Sequence, residues 1–116
     1  MKKNPIKDKS YSFALKSIEV YKNLQKKNEF ILSKQFLRSA TSIGANIEEG
    51  IQAQSKKDFI HKLSISQKEA FETHYWIRLL RDANYLGKQI ATELLNDCEE
   101  LQKIITAILK TAKSNN

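Results

Sequence analysis

The stretch Leu37-Arg38-Ser39-Ala40-Thr41-Ser42-Ile43-Gly44-Ala45-Asn46-Ile47-Glu48-Glu49-Gly50 decides how the chain is read, because large apolar, very small and polar side chains recur in it at helical spacing. Phe36, Ala40, Ile43, Ile47 and Ile51 fall at steps of three and four, which lines them up along one side of a helix. Displaced around the axis, Arg38, Ser42, Ala45 or Asn46, and Glu49 keep the same rhythm and form a small, polar side. Such a side lets a neighbouring backbone approach closely and find hydrogen-bonding groups. The pattern predicts the central helix of an all-α bundle. Gly44 lies in its interior, where glycine costs about 1 kcal/mol relative to alanine. The physical reason expected for that cost is close contact with another helix or another chain.

Working outward toward the N-terminus, residues 1–9 are polar, with Pro5 and four lysines, and read as a frayed lead-in. A first helix is expected from about Ser10 to Lys27-Asn28, with Tyr11, Ala14 or Leu15, Ile18, Tyr21 and Leu24 or Gln25 facing inward. Asn28 suits the helix end because it tolerates the left-handed conformation. Phe30, Ile31 and Leu32 form an apolar link predicted to fold onto the bundle end, and Ser33 reads as the N-cap of the central helix, about Lys34 to Ile51.

Toward the C-terminus, Ser55-Lys56-Lys57-Asp58 has the form of a capping box and opens a third helix that runs to about Ala83. Phe59, Leu63, Ser66, Ala70, Thr73, Ile77 and Leu80 make one stripe on it. Ile65, Glu69, Glu72, Trp76, Leu79 and Ala83 make a second. A helix apolar over two adjoining faces needs neighbours on both, which predicts self-association, with Gly44 and Trp76 as helix- or subunit-packing positions. Asn84-Tyr85-Leu86-Gly87 is a turn. A fourth helix follows with Ile90, Leu94, Cys98 or Asp97, Leu101, Ile105, Ile108 and Ala112 inward, widened by Ala91, Leu95, Ile104 and Leu109, and residues 113–116 read as a frayed tail. Short links between successive helices favour an antiparallel up-down-up-down four-helix bundle, one domain over 1–116.

Composition agrees with helix: three Gly and one Pro in 116 residues are too few for a turn-rich sheet protein. The single Cys98 cannot form an internal disulfide. The opening Met1-Lys2-Lys3-Asn4-Pro5 is not a signal peptide, so a cytoplasmic protein is expected, and no apolar run reaches the roughly 20 residues of a membrane span. The net charge is +7, and residues 1–33 hold eight lysines against three acids. Clustered cations favour a polyanion partner through counterion release, which makes Lys2, Lys3, Lys7, Lys9, Lys16, Lys22, Lys26 and Lys27 the candidate nucleic-acid-binding residues. The alternative is that these lysines serve solubility. Tyr75 and Tyr85 are the most ambiguous of the aromatic residues between core packing and base stacking.

Catalytic, cofactor and metal sites are not expected. A di-iron carboxylate bundle wants Glu-x-x-His on two helices, and neither His61 nor His74 lies three residues after a Glu. Zinc needs more Cys and His than the chain has. Cys98 falls on an apolar stripe, where a free cysteine is a small core hydrophobe. Glu69-x-x-Glu72 reads as a structural ion-pair or hydrogen-bond cluster. There is no Gly-rich phosphate loop or dinucleotide fingerprint.

The combination of Leu37–Gly50 with Lys57-Asp58-Phe59-Ile60-His61-Lys62-Leu63-Ser64-Ile65-Ser66-Gln67-Lys68-Glu69-Ala70-Phe71-Glu72-Thr73-His74-Tyr75-Trp76 resembles the bacterial four-helix-bundle family of 23S ribosomal RNA intervening-sequence proteins. The likeness covers nearly the whole chain and is most specific in the second and third helices. It implies a homopentamer of antiparallel bundles without catalysis. Some members of the family are encoded within large-subunit ribosomal RNA genes, and a related branch comprises nucleic-acid-binding accessory proteins of diversity-generating retroelements. The resemblance also marks Arg38, Ser42, Asn46 and Glu49 on the second helix, and Glu69 and Glu72 on the third, as signature polar positions. Their physical reading is a hydrogen-bonded network where these helices meet, since an unpaired buried polar group costs about 1–3 kcal/mol. Ser66 stands where the family more often has Ala.

The leading functional expectation is therefore a non-enzymatic homo-oligomer that binds RNA or DNA, or a nucleic-acid-handling protein, by charge. A structural or scaffolding protein that binds another protein is the second. A ligand- or metal-binding bundle using Glu49, Glu69 and Glu72 is the third.

Overall fold

A computed structural model describes residues 4–115 as four helices: α1 (Pro5–Lys26), α2 (Leu32–Ile51), α3 (Lys56–Asp82) and α4 (Lys88–Ser114). Helix α1 begins five residues before the expected Ser10. Asn4 is its N-cap, the side-chain oxygen accepting from the Lys7 N–H at 3.2 Å, and Pro5 sits at the first helical position, where its fixed φ helps and its missing N–H is not needed. Ile6 is buried, so most of the expected lead-in is helix; its residues 1–3 lie outside the described residues. At the other terminus α4 continues to Ser114 before the chain leaves the helix.

The inward face of α1 also differs from the sequence reading. Its buried residues are Ile6, Ser10, Phe13, Ser17, Val20 and Leu24, while Tyr11 is 60% exposed and Leu15 51%. The cause is the close approach of α1 to α2. A Cβ on Gly44 would lie 3.2 Å from the Ser10 Oγ, so the two helices meet through their smallest side chains and the bulky α1 stripe turns outward. The absence of a side chain at Gly44 is thus used within one chain. Ser10 and Ser17 satisfy their hydroxyls on the carbonyls of Lys7 and Phe13, at 3.1 and 2.8 Å.

The α2–α3 contact is built the same way. Ser66 Oγ donates to the Ile43 carbonyl at 2.8 Å, Thr73 Oγ1 lies 2.8 Å from Ser39 Oγ, and a Cβ on Gly50 would come within 2.7 Å of a Leu63 methyl. Rising numbers on α3 thus meet falling numbers on α2. Between α3 and α4, Gln67 meets Thr106 and His74 meets Glu99. The core comes from all four helices: Phe13 and Leu24, Phe36, Ile43 and Ile47, Leu63, Ile77 and Leu80, Leu94, Leu101 and Ile105. The stripes read on α2, α3 and α4 are otherwise as expected, except that Ile51, Ala83 and Ile90 are exposed, Phe59, Ile108, Ala112 and the rest of the second α3 stripe are half-buried, and Ala91 and Leu109 are buried. No buried side-chain nitrogen or oxygen among the described residues lacks a partner.

Helix ends follow the turn chemistry. Asn28 and Asn84 adopt φ of 63° and 67°. The N–H of Glu29 returns to the Leu24 carbonyl and that of Tyr85 to the Leu80 carbonyl, closing α1 and α3 with Schellman motifs. Ser55 caps α3 by accepting from the Asp58 N–H at 3.1 Å. Ser33 is not the cap of α2. The helix starts at Leu32, two residues before the expected Lys34, and Glu29 reaches over its first turn: Oε2 accepts from the Ile31 and Leu32 N–H groups and Oε1 from that of Ser33 at 2.6 Å. The Ser33 hydroxyl instead donates to the Glu29 carbonyl and accepts from Gln25. Burial pushes the Glu29 carboxyl up, but the N–H groups of Ser33, Leu32 and Ile31 outweigh it and hold it below the usual carboxylate value.

Candidate nucleic-acid interface

Of the eight lysines singled out by charge, Lys2 and Lys3 lie outside the described residues. The helical repeat separates the other six. Lys9 and Lys16, seven positions apart, share the side of α1 that faces α4. There Lys9 Nζ meets Glu100 at 3.2 Å and Lys16 Nζ meets Glu93 at 2.8 Å and Asp97 at 2.7 Å, above a cleft of about 270 Å³ floored by Phe13 and Leu101. The hydrogen bonds that Lys16 donates to Asp97 and then to Glu93 raise its pKa above the ordinary value. These two lysines are therefore largely answered from within the bundle. Glu93, Asp97 and Glu100 were legible as an acidic stripe by their spacing of four and three, which the running charge count along the chain obscures.

Lys7, Lys22, Lys26 and Lys27 are exposed. Lys22 pairs with Glu19 at 3.3 Å within its own helix, and Lys27 Nζ donates to the Tyr85 carbonyl at 2.9 Å, tying the end of α1 to the α3–α4 turn. What this geometry can offer a polyanion is a set of solvated cations near the helix ends, worth binding energy through counterion release and weakened by salt.

The signature polar residues divide into three groups. Arg38 Nη1 reaches Glu69 at 3.2 Å and its Nη2 bonds Glu72, which also accepts from the Trp76 indole at 2.9 Å. Trp76 packs edge-on against Tyr75 with centroids 5.2 Å apart. Ser42 and Asn46 turn back to carbonyls of their own helix, those of Arg38 and Ser42. Glu49 stands apart, paired with Lys62 at 3.0 Å. One end of the expected network thus joins α2 to α3 around Arg38, while Ser42 and Asn46 bond only within α2.

Cys98 and His74 are engaged within the bundle, while His61 is exposed on α3. Cys98 is buried, its thiol donates to the Ala70 carbonyl at 3.2 Å, and burial pushes its pKa up to about 12. His74 Nδ1 accepts from Arg78 at 3.1 Å, which leaves Nε2–H to donate to Glu99 at 2.8 Å. Among the described residues there is no group of three or more His, Cys, Asp or Glu placed to hold a metal, and no helix long and apolar enough to cross a membrane.

No curated protein matches the chain. A solved structure from Bacteroides thetaiotaomicron VPI-5482, a protein of unknown function from the S23 ribosomal protein family, superposes with a TM-score of 0.89 at 48% sequence identity, covering 90% of this chain and 98% of that one. The family model for 23S rRNA-intervening sequence proteins matches residues 2–107. The fold, the α2–α3 motif and these likenesses agree: the chain belongs to the 23S rRNA-intervening sequence protein family.

Proposed function

We propose that the protein is a non-enzymatic, cytoplasmic, homo-oligomeric bundle that binds RNA or DNA, or a protein that handles them, through its basic surface. The observation that carries this reading is the excess of seven positive charges, displayed on exposed lysines such as Lys7, Lys22, Lys26 and Lys27. An up-down-up-down antiparallel arrangement is part of the reading, supported by the opposed numbering of the α2–α3 and α3–α4 contacts. Assembly is supported by Tyr11 and Leu15 on α1 and Phe71 and Tyr75 on α3, large apolar side chains between 48% and 60% exposed. The pentamer is what the family resemblance implies. Gly44 no longer argues for assembly, since Ser10 occupies its contact.

A mobility-shift titration with ribosomal RNA and duplex DNA across salt tests the function, and light scattering tests the assembly. Absence of binding to both polymers at low salt refutes the first, and a monomer at micromolar concentration refutes the second. A second reading, a scaffold for another protein, is favoured by the apolar cleft that Phe71 shares with Thr106 and Ala107 on α4. A partner that stays bound through nuclease treatment and high salt would select it.

A further inference from the structure

We propose that the bundle end formed by the α1–α2 link and the α3–α4 turn holds single-stranded nucleic acid, with Phe30 as a stacking platform among lysines. The inference rests on the nucleic-acid reading above and adds where the polymer sits and in what form. Folding redistributes the charge that the sequence places at the front of the chain. The waist of the bundle gathers Glu69, Glu72, Asp97, Glu99 and Glu100, which meet Arg38, Lys16, His74 and Lys9. The end in question gathers Lys22, Lys26 and Lys27 from α1, Lys34 from α2, Arg81 from α3 and Lys88 from α4. The carboxylates there offset only part of this charge. Glu19 is paired with Lys22, Asp82 with Arg81 and Glu93 with Lys16, and Glu29 is buried beneath the first turn of α2, which leaves Lys26, Lys27, Lys34 and Lys88 outside these pairs.

The Lys27–Tyr85 bond joins the two connections into one surface, and Lys27, Arg81 and Lys88 line the same open cleft. At this end the apolar link departs from its expected role. Leu32 packs against the core, but Phe30 remains 50% exposed and Ile31 77%. An aromatic face left in water within a cationic surface has the chemistry that unpaired bases recognise: lysines neutralise phosphates while the ring stacks on a base, whatever its identity. A duplex keeps its bases stacked on one another and offers the ring nothing, so the single strand is the form that fits.

Fluorescence anisotropy of the full chain with a labelled 12-nucleotide oligouridylate, and with a duplex of the same length, tests this across a salt series. Phe30→Ala should raise the Kd for the single strand roughly 5- to 100-fold with its salt slope unchanged, since one stacked base is lost. Lys26→Glu with Lys88→Glu should weaken binding and lower the magnitude of the log K–log salt slope by about 1.4, at about 0.7 per contact for a single strand. Lys57→Glu with Lys110→Glu, at the opposite end, should change neither. Equal or tighter duplex binding, an unchanged Kd in Phe30→Ala, or loss confined to the Lys57/Lys110 variant overturns the inference and leaves the broader reading standing. A Phe30→Ala protein with unchanged Kd but a smaller assembly mass would assign the ring to a subunit contact. Wild-type protein that binds neither probe at low salt removes both proposals.

Discussion

Removing the Glu29 carboxylate should loosen the start of α2 by an amount that the hydrogen bonds allow us to apportion. Three N–H groups converge on it, but they are not equally dependent. Ile31 is 77% exposed and Leu32 half-buried, so water can replace their acceptor at small cost. Ser33 is fully buried, and in Glu29→Ala its N–H loses a 2.6 Å partner where water does not reach. A stranded buried donor costs about 1–3 kcal/mol, and loss of a helix N-cap typically about 1 kcal/mol. The expected total is about 2–4 kcal/mol, or a fall in Tm of about 8–16 °C at about 4 °C per kcal/mol for a chain of this size. Glu29→Gln keeps an acceptor but not the charge and should lose about half as much. Because the folded carboxyl titrates below its ordinary value, its stabilisation is present above the unfolded pKa and fades as pH falls through the folded one. The gap between wild type and Glu29→Gln should therefore be widest near neutrality and close in acid below about pH 4. Urea unfolding followed by circular dichroism between pH 7 and pH 3 measures both effects. A Glu29→Ala loss under about 0.5 kcal/mol, or a Glu29→Gln gap that is constant with pH, refutes the capping account.

Three further outcomes follow from the packing. Gly44→Ala should change stability by less than about 1 kcal/mol, because the gain in helix propensity offsets the 3.2 Å approach to Ser10 Oγ, whereas Gly44→Val should cost about 2–3 kcal/mol in urea unfolding. Thr73→Val removes the bond to Ser39 Oγ, but that hydroxyl keeps the Phe36 carbonyl at 3.2 Å; the expected thermal-melt loss is about 1 kcal/mol. Arg38→Met should cost under about 1 kcal/mol and progressively less as salt rises, since the Arg38 side chain is 48% exposed, while Trp76 fluorescence stays close to wild type because its bond to Glu72 remains.

Much of this protein was legible in the order of its residues. Four helices, the inward stripes of α2 and α3, the Asn28 helix end and the Ser55 cap all follow from local rules, in which periodicity and capping act over three or four residues. The family, too, was carried by the α2 and α3 motifs. What the order of residues did not determine is which of two competing faces wins. On α1 the stripe of Tyr11, Ala14 or Leu15, Ile18 and Tyr21 looked like the core, and Ser10 and Ser17 were not counted in it. Burial reversed them because Gly44 on another helix makes room for Ser10, and that match exists only once both helices are folded. The same holds for charge. A lysine-rich front becomes a surface interrupted by Glu93, Asp97 and Glu100, since these acids are more than seventy residues away along the chain and within 3.2 Å in space. Helical periodicity is a property of neighbours in sequence, whereas close approach and electrostatic neutralisation belong to pairs that only the tertiary structure brings together.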